Sequence, residues 1–287
     1  MINFIEISKK FKTDFWTQYF WALENVSFEI AEGHIIGFLG ANGAGKTTLI
    51  KILMGLIKTS SGRVEFSTKL GKNQKEVFSN MGLLPERPYF YPHLTGNEFI
   101  YYLGSLNNVS KIDLKQRINY WAERFKITHA LERKLKTYSK GMLQRLGFIS
   151  TIIHNPKMVI LDEPLSGLDP IGRKEIKDSI VEINKEGRTV FFSSHIVPDV
   201  EEICKRVVFL EKGTLLYDGQ IDHLIEKNMK PNYQIKYYAN DEIITQEIPI
   251  VEKEEFLKKI INNNQKIISV EKLRPSLEEI LYNIKTK

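Results

Sequence analysis

The chain has 287 residues, enough for a full apolar core in one large domain or two. Hydrophobic residues at 42% and charged residues at 26% are ordinary soluble globular composition, and a single cysteine, Cys204, excludes an intrachain disulfide and points to a reducing compartment. A net charge of +6 favours an anionic partner, for which nucleotide, nucleic acid and the inner leaflet of a membrane all qualify; a merely basic solvated surface gives the same balance.

Residues 1–12 lack the apolar core and cleavage site of a signal peptide, and no stretch approaches the roughly 20 apolar residues that span a bilayer. A cytoplasmic chain is expected, with any membrane connection made through a partner. Residues 2–8 and 26–30 alternate at period two and read as strands. Between them lies an aromatic-rich insert with Phe15, Trp16, Tyr19, Phe20 and Trp21. An apolar run at 34–39 ends in a glycine-rich loop, and 46–55 follows helical spacing. Residues 95–106 and 111–135 read as helices, the first opened by a capping box of Thr95 and Glu98.

Residues 158–161 and 189–192 are short apolar runs suited to buried parallel strands, and the helical 173–185 between them completes a βαβ unit. Two more strands, 207–210 and 215–217, flank a Lys212-Gly213 turn. After about residue 227 the composition shifts toward Asn, Lys, Ile and Glu, and Pro231 marks a boundary. The tail reads strand 233–238, strand 243–250, helix 254–262, strand 267–270 and helix 276–284, a small second α/β domain.

Gly40-Ala41-Asn42-Gly43-Ala44-Gly45-Lys46-Thr47-Thr48 carries the spacing of a phosphate loop, after a buried strand and opening a helix. Its glycines let consecutive N–H groups point at phosphate oxygens, and the helix N-terminus adds partial positive charge. Lys46 is expected to reach the β- and γ-phosphates of a nucleotide and the Thr47 hydroxyl to ligate Mg²⁺. Asp162 and Glu163 follow four apolar residues, at the strand end where α/β sheets put ligands. Asp162 would hold the Mg²⁺ water shell and Glu163 would polarise an attacking water; two acids capping a helix is the plain alternative. Ser139 and Gly141 stand before the helical 143–153, a second phosphate-binding geometry or an ordinary N-cap.

Together these segments resemble the ATP-binding cassette (ABC) ATPases. The matches are GANGAGKTT at 40–48, YSKGM at 138–142 in the place of the LSGGQ signature, VILDEP at 159–164, SGLD at 166–169 and Ser193-Ser194-His195, all in family order. The resemblance covers about residues 2–225. It implies an α/β fold: a P-loop NTPase core with an antiparallel β subdomain and a helical signature subdomain at about 87–155. The first domain is then 1–227, followed by a small accessory domain at 228–287. It also implies ATP and Mg²⁺ as cofactors, ATP hydrolysis, and an ATP-sandwiched dimer, either with itself or with a related cassette. Ser139 and Gly141 would act across that dimer on the partner's nucleotide, His195 would hold γ-phosphate and Glu163 in register, and Asp169 would cross the interface. Phe11 is the nearest match to the aromatic that stacks on adenine, with Phe15, Trp16 or Tyr19 as alternatives.

Departures from the family pattern are local. Glu86, in the loop 82–86, stands where Gln is usual; it keeps an oxygen for Mg²⁺ but adds negative charge. Lys140 and Met142 replace Gly and Gln of the signature. Arg87-Pro88-Tyr89-Phe90-Tyr91-Pro92 makes a stiff apolar loop in the region where ABC transporters receive a coupling helix of the membrane subunit, or else packs locally. Arg274-Pro275-Ser276-Leu277-Glu278-Glu279-Ile280 resembles the ending of an exporter subgroup with separate membrane subunits. The reading is therefore the ATPase subunit of an exporter, docked on a separate transmembrane permease at the inner face of the membrane, with no nucleic acid partner expected. A soluble ABC ATPase acting on ribosomes or DNA is the alternative, and a decayed regulatory cassette is disfavoured by intact Lys46, Asp162, Glu163 and His195.

Overall fold

The computed structural model describes residues 1–12, 19–229, 231–239 and 242–286. The chain forms two compact units, Met1–Gly219 and Gln220–Lys287. The break lies eight residues before the boundary suggested by composition, because the helix at 221–227 buries Ile221, Leu224 and Ile225 within the second unit.

The first unit opens with β1 (Ile2–Lys12) and β2 (Tyr19–Ile30), an antiparallel pair. Both run further than the period-two pattern suggests, so Tyr19, Phe20 and Trp21 of the aromatic insert belong to a strand. The buried β3 (Ile35–Leu39) leads through the glycine loop into α1 (Lys46–Leu53). β4 (Ser61–Phe66) then returns to the free edge of β1. The resulting order β2-β1-β4 is the antiparallel sheet.

After α2 (Gln74–Ser79), residues 81–84 form β5 (Met81–Leu84), so most of the stretch read as a loop at 82–86 is strand. Three helices follow: α3 (Gly96–Leu106), α4 (Lys111–Arg124) and α5 (Lys140–Ile152). Thr95 caps α3 in the expected box, its hydroxyl accepting from Glu98 N while Glu98 accepts from Thr95 N. The single helix expected over 111–135 ends at Arg124. Lys126 takes a left-handed φ of 56°, Ile127 N donates to Ala122 O and Lys126 N to Glu123 O, which is a Schellman stop without its usual glycine.

The chain then alternates β6 (Met158–Asp162), α6 (Pro170–Lys185), β7 (Thr189–Ser194), α7 (Val197–Ile203) and β8 (Arg206–Glu211). β9 (Thr214–Gln220) returns beside β8 after Lys212-Gly213, both at positive φ as a two-residue hairpin requires. The order β5-β6-β7-β3-β8-β9 is built on parallel pairs from β5 to β8. Phe28 joins the two sheets, stacked on Phe4 at 4.4 Å and lying 6.1 Å from both Phe38 and Phe191. Cys204 is buried beside Gly37, where burial pushes its thiol well up and keeps it protonated.

The second unit contains α8 (Ile221–Lys227), β10 (Asn232–Ala239), β11 (Glu242–Pro249), α9 (Lys253–Asn262), β12 (Ile267–Lys272) and α10 (Leu277–Thr286). Its antiparallel sheet, β11-β10-β12, packs around Ile235, Tyr237, Ile248 and Ile260. Among the described residues no helix is long and apolar enough to cross a membrane.

Because each unit has its own apolar cluster, a chain ending at Gly219 is expected to unfold cooperatively and to keep the nucleotide affinity of the full chain. Circular-dichroism melting and titration with a fluorescent nucleotide check this. Aggregation of the shortened chain would show that the second unit completes the first core.

Candidate nucleotide site

The parallel pairs set the site. Phe38 lies opposite Ser193, and Asp162 opposite Ser193 on its other side, so the ends of β3, β6 and β7 stand in one row. Each strand runs directly into a polar segment: Gly40 after β3, Glu163 after β6 and His195 after β7.

The loop at 40–45 curls because its glycines permit what other residues do not. Gly45 sits at φ 108°, and a Cβ there would meet Ala22 O at 2.5 Å. Lys46, the first residue of α1, is only 6% exposed. Its ammonium donates to Gly40 O at 2.6 Å and Ala41 O at 3.3 Å, and lies 3.2 Å from Glu163 Oε1. The other Glu163 oxygen, Oε2, is 2.9 Å from His195 Nδ1. Glu163 Oε1 is buried and accepts no hydrogen bond among the described residues, so its one close partner is the Lys46 charge. Glu163 itself holds φ at 51°, a left-handed conformation costing on the order of 1 kcal/mol for a residue with a side chain.

Thr47 Oγ1 donates to Asp162 Oδ2 at 2.8 Å. Asp162 Oδ1 accepts from Ser193 Oγ at 2.6 Å, and that same Ser193 oxygen accepts from Glu163 N at 3.0 Å. One buried hydroxyl therefore fixes both acids. In the sequence Ser193 stands only as a neighbour of His195; its place opposite Asp162 follows from the pairing of β7 with β6.

A cleft of about 630 Å³ runs along the loop. Its walls include Ala41, Asn42, Gly43, Gly45, Lys46, Thr47 and Thr48, together with Glu86, Glu163, Phe11, Phe20 and Trp21. Phe11 and Phe20 stack at 5.7 Å. Of the other aromatics considered for adenine, Tyr19 is not part of this wall, and Phe15 and Trp16 lie outside the described residues. Gly40 and Ala44 shape the loop from behind, Gly40 through its carbonyl and Ala44 as a buried residue.

Ser139 and Gly141 are not in this cleft. Ser139 caps α5, accepting from Met142 N at 3.3 Å, and Asp169 caps α6, accepting from Gly172 N at 3.1 Å. Lys140 lies across Gly167, whose φ of 72° and missing side chain leave room for the lysine chain. Arg145 of α5 pairs with Glu175 of α6 at 2.9 Å. Thr47, Asp162 and Glu86 offer hydroxyl and carboxylate oxygens, the hard donor set that Mg²⁺ takes.

A buried parallel sheet ending in a glycine loop, a lysine at a helix start and paired acids on the neighbouring strand define a P-loop nucleotide-binding protein. The ABC transporter family model matches residues 23–166. An ABC transporter ATP-binding protein of Synechocystis is 38% identical, over 96% of this chain and 81% of its own. The bacitracin transport ATP-binding protein of Bacillus licheniformis is also 38% identical, over 73% of this chain and 68% of its own. In fold, a dimeric ATP-binding cassette solved with ADP and Pi superposes with a TM-score of 0.69 at 21% identity, covering 77% of this chain and 99% of that one. This chain belongs to the ABC transporter family, as an ATP-binding subunit.

Removing the Ser193 hydroxyl takes away the bond to Asp162 and leaves Glu163 N buried without an acceptor. Ser193→Ala is expected to lower unfolding free energy by about 2 to 4 kcal/mol and to weaken Mg²⁺-dependent nucleotide binding. Denaturant unfolding and nucleotide titration with and without Mg²⁺ read both effects; a loss of stability with unchanged Mg²⁺ dependence would leave Ser193 a purely structural residue.

Proposed function

We propose that this subunit hydrolyses ATP within a two-fold dimer and thereby drives export through a separately encoded membrane permease, from the inner face of the cell membrane. The strongest support is the meeting of Lys46, Glu163, His195 and the Thr47–Asp162 pair at one sheet end, while Ser139 and Gly141 stand apart from that cleft. A signature remote from its own phosphate loop suits a site completed by a second copy or a related cassette. The bacitracin transport relative supports the transport reading.

In this mechanism Lys46 leaves Glu163 for the β- and γ-phosphate oxygens, and the loop N–H groups of 41–48 bind the same chain of phosphates. Phe11, backed by Phe20, gives adenine a flat apolar face. Thr47 and Asp162, with Glu86 at the cleft wall, would hold Mg²⁺, which would supply charge neutralisation to the phosphates. Glu163 Oε1 then accepts a hydrogen bond from the attacking water and takes its proton as the water adds to the γ-phosphorus and the bond from that phosphorus to the β–γ bridging oxygen breaks, with ADP as the leaving group. His195 keeps Oε2 engaged, so the carboxylate presents the other oxygen to water. Ser139 Oγ and the Gly141 N–H of the second subunit close on the γ-phosphate.

The permease contact is proposed at a second cleft of about 360 Å³, walled by Pro88, Tyr89, Phe90, Tyr91, Phe99 and Tyr102. Tyr89 is 76% exposed there, and Tyr91 meets Tyr89, Phe99 and Tyr102 edge-on or tilted. An apolar helix turn from a membrane subunit fits that chemistry.

Glu163→Gln keeps the shape of the base and removes its proton affinity. Turnover is expected to fall ~10²- to 10⁴-fold while MgATP still binds. With γ-phosphate retained, the variant should pass from monomer to dimer on adding MgATP but not MgADP, read by size-exclusion chromatography with light scattering. Adding Ser139→Arg should abolish that dimer and leave nucleotide binding by the monomer intact. A Glu163→Gln chain that stays monomeric at saturating ATP, or a double variant that still dimerises, overturns the shared-site mechanism.

A further inference from the structure

The β1–β2 hairpin end carries two different faces. Lys10 pairs across the strands with Trp21, Phe11 with Phe20, and Lys12 with Tyr19. Directly paired side chains share a face, and alternation puts the middle pair on the opposite one. Phe11 and Phe20 therefore look one way, with Lys9 over the Phe11 ring at 5.0 Å, and both line the nucleotide cleft. Lys10, Lys12, Tyr19 and Trp21 form the other face. The Lys10 ammonium stands 5.0 Å from the Tyr19 ring centre and 5.8 Å from that of Trp21, and the Lys12 ammonium is 5.8 Å from Tyr19.

Lys10, Lys12 and Tyr19 of this face line neither the core nor the nucleotide cleft, and Trp21 borders the cleft at its edge. Tyr19 is 50% and Trp21 48% exposed, both lysines are exposed, and neither lysine has a carboxylate partner among the described residues. Two cations stacked on two amphipathic rings make a surface that is apolar in its body and positive at its rim. Tyr and Trp are enriched where hydrocarbon meets water, and lysines next to them attract anionic headgroups. A transporter's ATP-binding subunit works against such a surface.

We propose that the Lys10, Lys12, Tyr19 and Trp21 face of the β1–β2 hairpin is a contact for the anionic lipid headgroups of the membrane. It rests on the transport reading for its setting, not on ATP hydrolysis. Anionic lipid matches the two exposed ammonium groups, and the ring edges match the headgroup layer. Because Phe11, Phe20 and Trp21 of the same two strands line the nucleotide cleft, the hairpin is a membrane contact directly beside the adenine platform. Single-stranded nucleic acid, which also takes aromatic and lysine surfaces, is the competing partner.

The test uses the full chain with phosphatidylcholine vesicles containing about 30% phosphatidylglycerol, a composition that gives the negative surface potential lysines sense. Co-sedimentation should show binding to these vesicles, much weaker binding to pure phosphatidylcholine, and loss at high salt. Each lysine is worth about fivefold in partitioning, so Lys10→Gln with Lys12→Gln should lower it about 30-fold. The equally basic pair Lys258→Gln with Lys259→Gln, on α9 of the second unit, should leave it unchanged. ATP hydrolysis by Lys10→Gln/Lys12→Gln without vesicles should match that of the unaltered chain, since neither lysine lines the cleft. Vesicle binding is read without turnover, so it fails or stands separately from the ATPase mechanism. Equal loss in both lysine pairs would reduce the effect to net charge and overturn the proposal. So would binding of fluorescent oligo-dT in place of vesicles, lost in Lys10→Gln/Lys12→Gln.

Discussion

Parallel pairing of β7 with β6 on one side and β3 on the other is the constraint from which the site follows. It sets Phe38, Ser193 and Asp162 in one row, and Gly40, His195 and Glu163 each follow within two residues along their strands. Parallel strands buried on both faces need continuous apolar runs, which these three supply. A slip of one residue would turn Ser193 to the opposite face of the sheet, away from Asp162. The hydroxyl that orders both acids exists only in this register.

Around that row the fold spends stability on charge and geometry. Lys46 and Glu163 are each below 10% exposed, and Glu163 is held in a left-handed backbone. Their desolvation is offset by multiple partners, since Lys46 also reaches two carbonyls and Glu163 also reaches His195. Ion pairs tie the surrounding helices to one another. Arg173 and Lys177 of α6 pair with the buried Asp199 of α7, while Arg145 of α5 pairs with Glu175 on α6. Helix α6 thus ties the helix that follows His195 to the helix that begins at the signature.

Much of this was legible in the sequence because it is local. The glycine loop, the apolar runs ending in acids and the capping box at Thr95 are contiguous patterns, and each appears where expected. What the sequence hid was non-local or chemically atypical. Ser61–Phe66 contains Gly62, Arg63 and Glu65 and becomes a strand through pairing with β1, about sixty residues earlier. Helix α4 ends at Arg124 through the left-handed turn at Lys126, a residue that carries no stop signal, so a long amphipathic run looks continuous in the sequence. Ser193 stands in the sequence only as a neighbour of His195, and its role emerges from the pairing of β7 with β6. The Phe11–Phe20 pair likewise needed the hairpin register, since nine positions separate the two rings in sequence.

The Lys46–Glu163 contact makes the loop an ion exchanger instead of a bare cation. Its positive charge already has a counter-ion, itself anchored by His195, so an incoming anion must displace a carboxylate. A singly charged species returns one ionic contact for the one it breaks. A chain of phosphates reaches Lys46 and the successive N–H groups of 41–48 together, so the exchange runs forward only for a ligand with several charges in line. Chloride, abundant in any cell, is disfavoured by valence before shape is consulted.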